Sequence, residues 1–472
     1  MKITFWGAAQ TTTGSFHLVE HDGHKVALDC GLFQGRRADF YTRNIEFPCR
    51  PEDVKALILS HAHIDHCGNI PNFVKQGFDR GIHCTHATLD LARALLLDSA
   101  FIQEKEVRFL AKHRDRNREQ PREEPRKPLY TIDDAERSLP LFVGIGYYRW
   151  FSFAPGFSGK FLEAGHILGS AQVELDVEIG PDRNHRIAFS GDIGRGHSAI
   201  LRPPEIPSEV DTLIMESTYG NRDSSPLAGL KDDLLAIVRR VSARGGKVII
   251  PAFSVGRTQD IVYQLNLLFN EGAIPRIPIY VDSPLSTNVT RIFKEHPECY
   301  NRETRDRLMS DSDPFGFETL TYTRDVEESK ALNDTTDPCV IISASGMCEN
   351  GRILHHLRNS VGEARNCVLI VGYQAEHTLG RRLRERQPVV RIFGEEHAVR
   401  CEVAVLDGFS AHADRSELQE YAFRVHARSG GHLRRIFLVH GEPEPSAELA
   451  AYLRESLKID VFTPNRGETF EL

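Results

Sequence analysis

The run His61-Ala62-His63-Ile64-Asp65-His66 sets three imidazoles and a carboxylate within six residues. Imidazole nitrogen and carboxylate oxygen suit a divalent, borderline-soft metal ion. In a continuous helix, residues two apart point about 200° away from each other. His61, His63 and Asp65 therefore converge best from a loop at a strand end. Residues 54–60, VKALILS, read as that strand, a buried apolar run. Gly68 lets the backbone pass closely before the next helix.

Four more positions carry the same kind of donor beside the end of an apolar strand. His166 follows Gly165 and precedes ILGSA, and Asp192 lies in Ser-Gly-Asp-Ile-Gly after RIAF. His412 sits in Phe-Ser-Ala-His-Ala-Asp, and His440 in Leu-Val-His-Gly-Glu. Alone, each reads equally well as a satisfied core or turn residue. Together with the first run they describe a site for more than one metal. Two such ions about 3.5–4 Å apart can clamp a phosphate and lower the pKa of a bound water toward roughly 7. Hydrolysis is the chemistry expected.

The bulk composition sets outer limits. Across 472 residues, 58 Lys plus Arg face 66 Asp plus Glu, a formal charge of −8. That argues against a simple basic coat for nucleic acid, although a local cleft depends on how charge is distributed. Nine cysteines without a CxxC pair read as reduced thiols of a cytosolic protein. The start, MKITFWGAAQTTTGS, lacks the apolar run of a signal peptide, and no stretch reaches the length of a membrane span. A cytoplasmic location is expected.

The elements that must hold these residues fall into three blocks. Residues 1–208 alternate as strands with helices outside, beginning with a hairpin at Asp22-Gly23. Residues 71–78 and 87–112 read as helices. Residues 104–128 are charge-rich and read as a solvated helix end and loop, with a phosphate-attracting rim as the alternative. From about 209 to 389, short apolar strands (DTLIMEST, GKVIIPAF, IPIYVDSP, CVIISASG, NCVLIVGY) alternate with helices, the mark of a mainly parallel sheet. Residues 390–472 return to strands and two helices. The middle block then reads as an insertion into a domain built from both chain ends.

With these motifs assembled, the sequence resembles the metallo-β-lactamase superfamily and specifically its β-CASP branch of nucleic-acid-processing nucleases. That branch includes bacterial ribonucleases and the endonuclease of mRNA 3′-end processing. The resemblance covers nearly the whole chain. Beyond the HxHxDH run it rests on Met-Glu216-Ser-Thr-Tyr-Gly, PAFSVGRTQ at 251–259, SASGMC at 343–348, GYQAEHTLGRRL at 372–383, and the motifs at His412 and His440. Asn350 before Gly351 departs from the expected small residue.

The resemblance implies an α/β chain, an αββα sandwich with an inserted β-CASP domain on a mainly parallel sheet. It implies two Zn2+ per chain, with Mn2+ or Fe as alternatives. One ion would take His61, His63 and His166, the other Asp65, His66 and His440, and Asp192 would bridge them. Asp29 would organise the site. Asp65, Glu216 and His412 would be catalytic, with Glu216 holding His412 protonated near the leaving oxygen.

Candidate phosphate contacts lie in three turns after parallel strands: Ser254, Gly256 and Arg257; Ser343, Ser345 and Gly346; and His377, Thr378, Gly380 and Arg381. The implied activity is endonucleolytic hydrolysis of single-stranded RNA by a metal-bound hydroxide. A 5′-to-3′ exoribonuclease, a DNA nuclease and a non-catalytic RNA-binding scaffold are the alternatives. No membrane partner is implied, and a homodimer stays open.

Overall fold

The computed structural model of the chain describes residues 1–35, 37–114, 127–224, 229–309, 313–372, 374–375 and 377–472. The expected rim at 104–128 lies largely outside them. The chain divides into two compact units, Met1–Gly196 with Pro203–Asp223 and His412–Leu472, and His197–Arg202 with Ser224–Ala411. Among the described residues no helix is long and apolar enough to cross a membrane.

The first unit is built on two seven-stranded sheets. Asp22 and Gly23 take positive φ (48° and 74°) and close the hairpin between Phe16–His21 and His24–Leu28, the geometry that matches the twist of paired strands. To one side of this hairpin lie Lys2–Gly7 and then Glu468–Glu471. To the other lie the parallel strands Val54–Ile58, Ile82–Cys84 and Phe142–Gly144. The second sheet runs Asp460–Phe462, Arg435–Val439, Thr212–Glu216, Arg183–Phe189, Ala171–Gly180, Phe157–Glu163, Phe151–Ala154.

Inward-facing residues of both sheets form one core, including Ile3, Phe5, Val19 and Ile58 from the first and Phe161, Val173, Phe189 and Phe437 from the second. Each buried side chain of this size contributes on the order of 1.5–3 kcal/mol. The helices Arg415–Arg428 and Pro443–Leu457 cover the outer face of the second sheet through Leu418, Tyr421, Leu449 and Leu453. Leu32, Ala100 and Tyr130 pack helices on the outer side of the first. The unit is an αββα sandwich.

The second unit holds a six-stranded sheet in the order Leu320–Thr323, Ile279–Asp282, Cys339–Ser343, Lys247–Pro251, Cys367–Ile370, Glu402–Val405, with every pairing parallel. Lys247–Pro251, Cys339–Ser343 and Cys367–Ile370 are buried throughout, which is why they read as unbroken apolar runs. A separate antiparallel ribbon joins Val389–Ile392 to Glu395–Ala398.

The unit boundaries differ from 208/209 and 389/390. Thr212–Glu216 pairs with Arg183–Phe189 and Arg435–Val439, so it belongs to the sandwich. Glu402–Val405 extends the parallel sheet beside Cys367–Ile370, so it belongs to the second unit. Partner strands rather than strand composition decide membership.

Candidate metal centre

Four strands of the second sheet run the same way, Phe157–Glu163, Arg183–Phe189, Thr212–Glu216 and Arg435–Val439. Each delivers a polar residue at or just past its C-terminal end: His166, Asp192, Glu216 and His440. From the first sheet, Val54–Ile58 leads into the HxHxDH run. That run is not all loop. His61 and His63 are extended, and Asp65 and His66 sit on a one-turn helix, Ile64–Cys67. The turn swings the last two donors away from the first two.

The donors form two groups. His61 Nε2 lies 3.2 Å from His63 Nδ1, and His166 Nε2 lies 3.1 Å from the same Nδ1. Asp192 Oδ2 is 3.6 Å from His61 Nε2 and 3.5 Å from His166 Nε2. In the second group His66 Nε2 faces His440 Nε2 at 3.2 Å, and Asp65 Oδ2 is 3.4 Å from His440 Nε2. Asp192 Oδ1 is 3.2 Å from His66 Nε2. A tetrahedral zinc with bonds near 2.0–2.1 Å has ligand edges of roughly 3.3 Å. Each group thus has the spacing of a ligand set, and Asp192 turns one oxygen toward each.

Hydrogen bonds on the far sides of the rings fix which nitrogen points inward. Ser60 Oγ donates to Asp29 Oδ2 and faces His61 Nδ1 at 3.1 Å, leaving His61 Nε2 inward. Asp29 Oδ2 takes His66 Nδ1 at 2.7 Å. Thr218 Oγ1 donates to the His440 carbonyl and faces its Nδ1 at 3.2 Å. The His166 N–H donates to Ser170 Oγ. Asp29 (φ 59°) and His440 (φ 49°) both hold the left-handed conformation, an uncommon state that the surrounding contacts must enforce.

Charge follows the same design. Burial pushes the His61 imidazole well below its ordinary pKa and His63 down to about 4. Burial opposes ionisation of Asp192, but His440, His66 and His61 outweigh it and hold the carboxyl well below the usual range. Asp65 is held low in the same way, chiefly by His440. Asp192 Oδ1 is buried without a hydrogen bond. Neutral imidazoles, ionised carboxylates and one unsatisfied oxygen between the groups fit two divalent cations.

Beside the donors, His412 Nδ1 contacts both Glu216 oxygens, at 3.2 and 3.1 Å, and lies 3.9 Å from Asp192 Oδ2. Glu216 is fully buried and accepts the Ile193 N–H at 2.6 Å. The backbone of His412 bridges Gly194, and the Ala413 N–H donates to the Ile193 carbonyl. Two residues on, Asp414 and Glu417 form a capping box that starts the helix Arg415–Arg428. Burial disfavours charge on His412, yet Glu216 and Asp192 outweigh it and lift its pKa to about 10.

The structure thus brings together His61, His63, Asp65, His66, His166, Asp192, Glu216, His412 and His440, with Asp29 behind them. Ser15, Ser60, Ser170 and Thr218 complete the support and went unremarked in the sequence. Their only signal is position, immediately before HxH or inside the MEST and GSA motifs.

The three phosphate-contact turns belong to the second unit and follow adjacent strands of its sheet. Gly256 has φ 76° and precedes the helix Arg257–Asn270. Arg257 itself is buried, with Nη1 3.4 Å from Asp260. The Ser343 hydroxyl donates to the Asp282 carbonyl, and Ser345 Oγ accepts from the Glu349 N–H. Gly346 has no room for a side chain beside Phe253, nor Gly380 beside Gln374. His377 has φ 69°, Thr378 caps the helix Leu379–Arg384, and Arg381 bonds Glu385. Several of these side chains are therefore engaged in shaping the turns.

A buried two-part donor cluster at the strand ends of an αββα sandwich is the centre of a metal-dependent hydrolase. Residues 11–236 match the metallo-beta-lactamase superfamily, residues 258–383 the Beta-Casp domain, and residues 396–464 the Zn-dependent metallo-hydrolase RNA specificity domain. Ribonuclease TTHA0252 of Thermus thermophilus is 33% identical over 455 residues, covering 96% of each chain. The transcription termination factor FttA of Methanocaldococcus jannaschii is 30% identical over 474 residues, 98% of this chain and 70% of its own. An RNase J-like protein from the same organism is 32% identical and covered to 98%. A solved structure of unknown function from Enterococcus faecalis shares the fold, with a TM-score of 0.54 at 13% identity over 100% of this chain and 99% of its own. The chain belongs to the metallo-β-lactamase superfamily and, within it, to the β-CASP nucleases.

Proposed function

We propose that the protein is an endoribonuclease that hydrolyses phosphodiester bonds of single-stranded RNA with two zinc ions per chain. His61, His63 and His166 would hold one ion and Asp65, His66 and His440 the other, with Asp192 between them. The observation that carries this reading is His412, set against Glu216 and Asp192 at the edge of both donor groups. A generic metal hydrolase has no need of a buried, carboxylate-backed imidazole there. A nuclease needs a proton for the leaving 3′ oxygen. The ribonuclease names of two relatives support RNA as substrate.

Bound metal ions would supply Lewis-acid charge at the phosphate and a water acidic enough to ionise near neutral pH. The chain's own residues do the rest. Asp192 and Asp65 keep negative charge facing the ions. His412 is oriented by Glu216 through Nδ1, which leaves Nε2 to donate the proton. Charge on His412 also offsets the negative charge that develops at phosphorus. The turns at 254–257, 343–346 and 377–381 supply backbone amides and Arg381 for phosphates along the strand.

The test is incubation of 5′-labelled RNA and matched single-stranded DNA with zinc-loaded protein. Internal fragments from RNA alone are expected. Mononucleotides released only from the 5′ end would replace endonuclease by exonuclease, and equal cleavage of DNA would overturn the RNA assignment.

A further inference from the structure

Between Phe142–Gly144 and the edge strand Phe151–Ala154 the chain reads Ile145-Gly-Tyr-Tyr-Arg-Trp150. Tyr148, Arg149 and Trp150 are consecutive and all exposed, the two aromatics by 47% and 45%. Large aromatic surface is usually buried, and adjacent rings left in water mark a surface with an occupant. Tyr148 also holds φ 66°, a conformation unfavourable for a bulky residue. The turn keeps a tyrosine where glycine would sit more easily.

The charges around the indole are uneven. The Lys160 ammonium lies 4.9 Å from the Trp150 ring centroid and the Arg186 guanidinium 5.7 Å. Both are already balanced, Lys160 by Glu174 at 2.5 Å and Arg186 by Asp176 at 3.5 Å and Glu209 at 2.8 Å. They steady the indole without offering a free cation. Arg149 has no carboxylate partner among the described residues. The surface therefore presents two rings flanking one unbalanced guanidinium. That complements two bases flanking one phosphate.

The turn is also continuous with the metal centre. The Tyr147 hydroxyl donates to the Ser170 carbonyl at 2.9 Å, and Ser170 Oγ receives the His166 and Ile167 N–H groups. The Tyr148 N–H donates to the Phe161 carbonyl, on the strand that leads to His166.

From this we infer that Tyr148, Arg149 and Trp150 form a stacking platform for single-stranded RNA beside the metal centre, a binding site separate from the metal ligands and from the turns of the second unit. The inference rests on the ribonuclease reading above. Stacking tolerates any base, so the platform serves grip and not sequence selection. With one unbalanced cation it adds only about 0.7 to the slope of log affinity against log salt, the contribution of a single phosphate.

The chain contains two tryptophans, Trp6 and Trp150, so Trp6→Phe leaves the platform as the sole indole reporter. Metal-free Trp6→Phe protein, titrated with an oligouridine of about twenty nucleotides, is expected to show fluorescence quenching that a duplex does not produce. In the zinc-loaded full chain, Trp150→Ala is expected to raise KM for that RNA roughly ten-fold. It should leave kcat unchanged, and leave cleavage of a trinucleotide untouched. Trp150→Phe should keep most of the affinity, and Arg149→Gln should lower the salt slope. RNA cleavage with an unchanged KM in Trp150→Ala, or absence of quenching, overturns the platform alone. If zinc-loaded wild-type protein cleaves no RNA, the ribonuclease reading falls and the platform with it.

Discussion

Asp29 Oδ2 lies 2.7 Å from His66 Nδ1 and also accepts the Ser60 and Ser15 hydroxyls, while Oδ1 takes the Ser60 N–H. One fully buried carboxylate thereby sets His66 directly and His61 through Ser60. Both inward nitrogens depend on a residue that faces neither donor group.

Asp29→Asn keeps the shape but replaces a charged acceptor by an amide that can offer a donor to His66. Zinc affinity is expected to fall about 10- to 100-fold, read by competition with a chromophoric chelator. Wild-type affinity in the variant would show that Asp29 does not tune the ligands.

His412→Ala and Glu216→Gln should each lower single-turnover RNA cleavage by roughly 10²- to 10⁴-fold. Metal analysis should still find the wild-type zinc content, because neither residue is needed to complete the two donor groups. Near-wild-type cleavage at saturating RNA would remove His412 from the chemistry.

At Gly194 a Cβ would lie 1.8 Å from the Gly165 carbonyl oxygen, and no rotamer can relieve a clash with backbone. Gly194→Ala must push the Asp192 loop off the His166 loop. A stability loss of about 1–3 kcal/mol or more is expected in denaturant unfolding, together with reduced zinc content. Retention of both would mean the two loops can part without cost.

His17 is buried between Phe5 and Phe189, with neither ring nitrogen hydrogen-bonded. Burial, helped by His66 and His440, lowers its pKa from 6.5 to about 3. The unfolded chain takes up a proton below pH 6.5 that the folded chain refuses. Stability is therefore complete above pH 6.5 and falls between 6.5 and about 3, by up to roughly 1.4 kcal/mol per pH unit. In metal-free protein, His17→Leu should unfold at lower pH than wild type. An unchanged acid midpoint would locate the acid sensitivity elsewhere.

The metal donors were legible because their chemistry is rare and their placement regular. An imidazole or carboxylate just past an apolar strand stands out at His61, His166, Asp192 and His440 alike. The hydroxyls that aim them were not, since Ser15, Ser60 and Thr218 look like any other serine or threonine. Nor was the membership of Thr212–Glu216 and Glu402–Val405. A short buried parallel strand reads the same in either sheet, and only its neighbours, Arg435–Val439 for one and Cys367–Ile370 for the other, settle where it belongs. Arg257 showed how charge misleads. It reads as a phosphate ligand, but the fold buries it against Asp260.

The strand Arg435–Val439 sits in the interior of its sheet, between Thr212–Glu216 and Asp460–Phe462, and His440 follows it directly. During translation every other donor emerges long before it. A chain still held at the ribosome has an open slot in its second sheet and lacks one imidazole of its second donor group. Order of synthesis thus acts as a timer that withholds cutting activity from a nascent chain still joined to its own message.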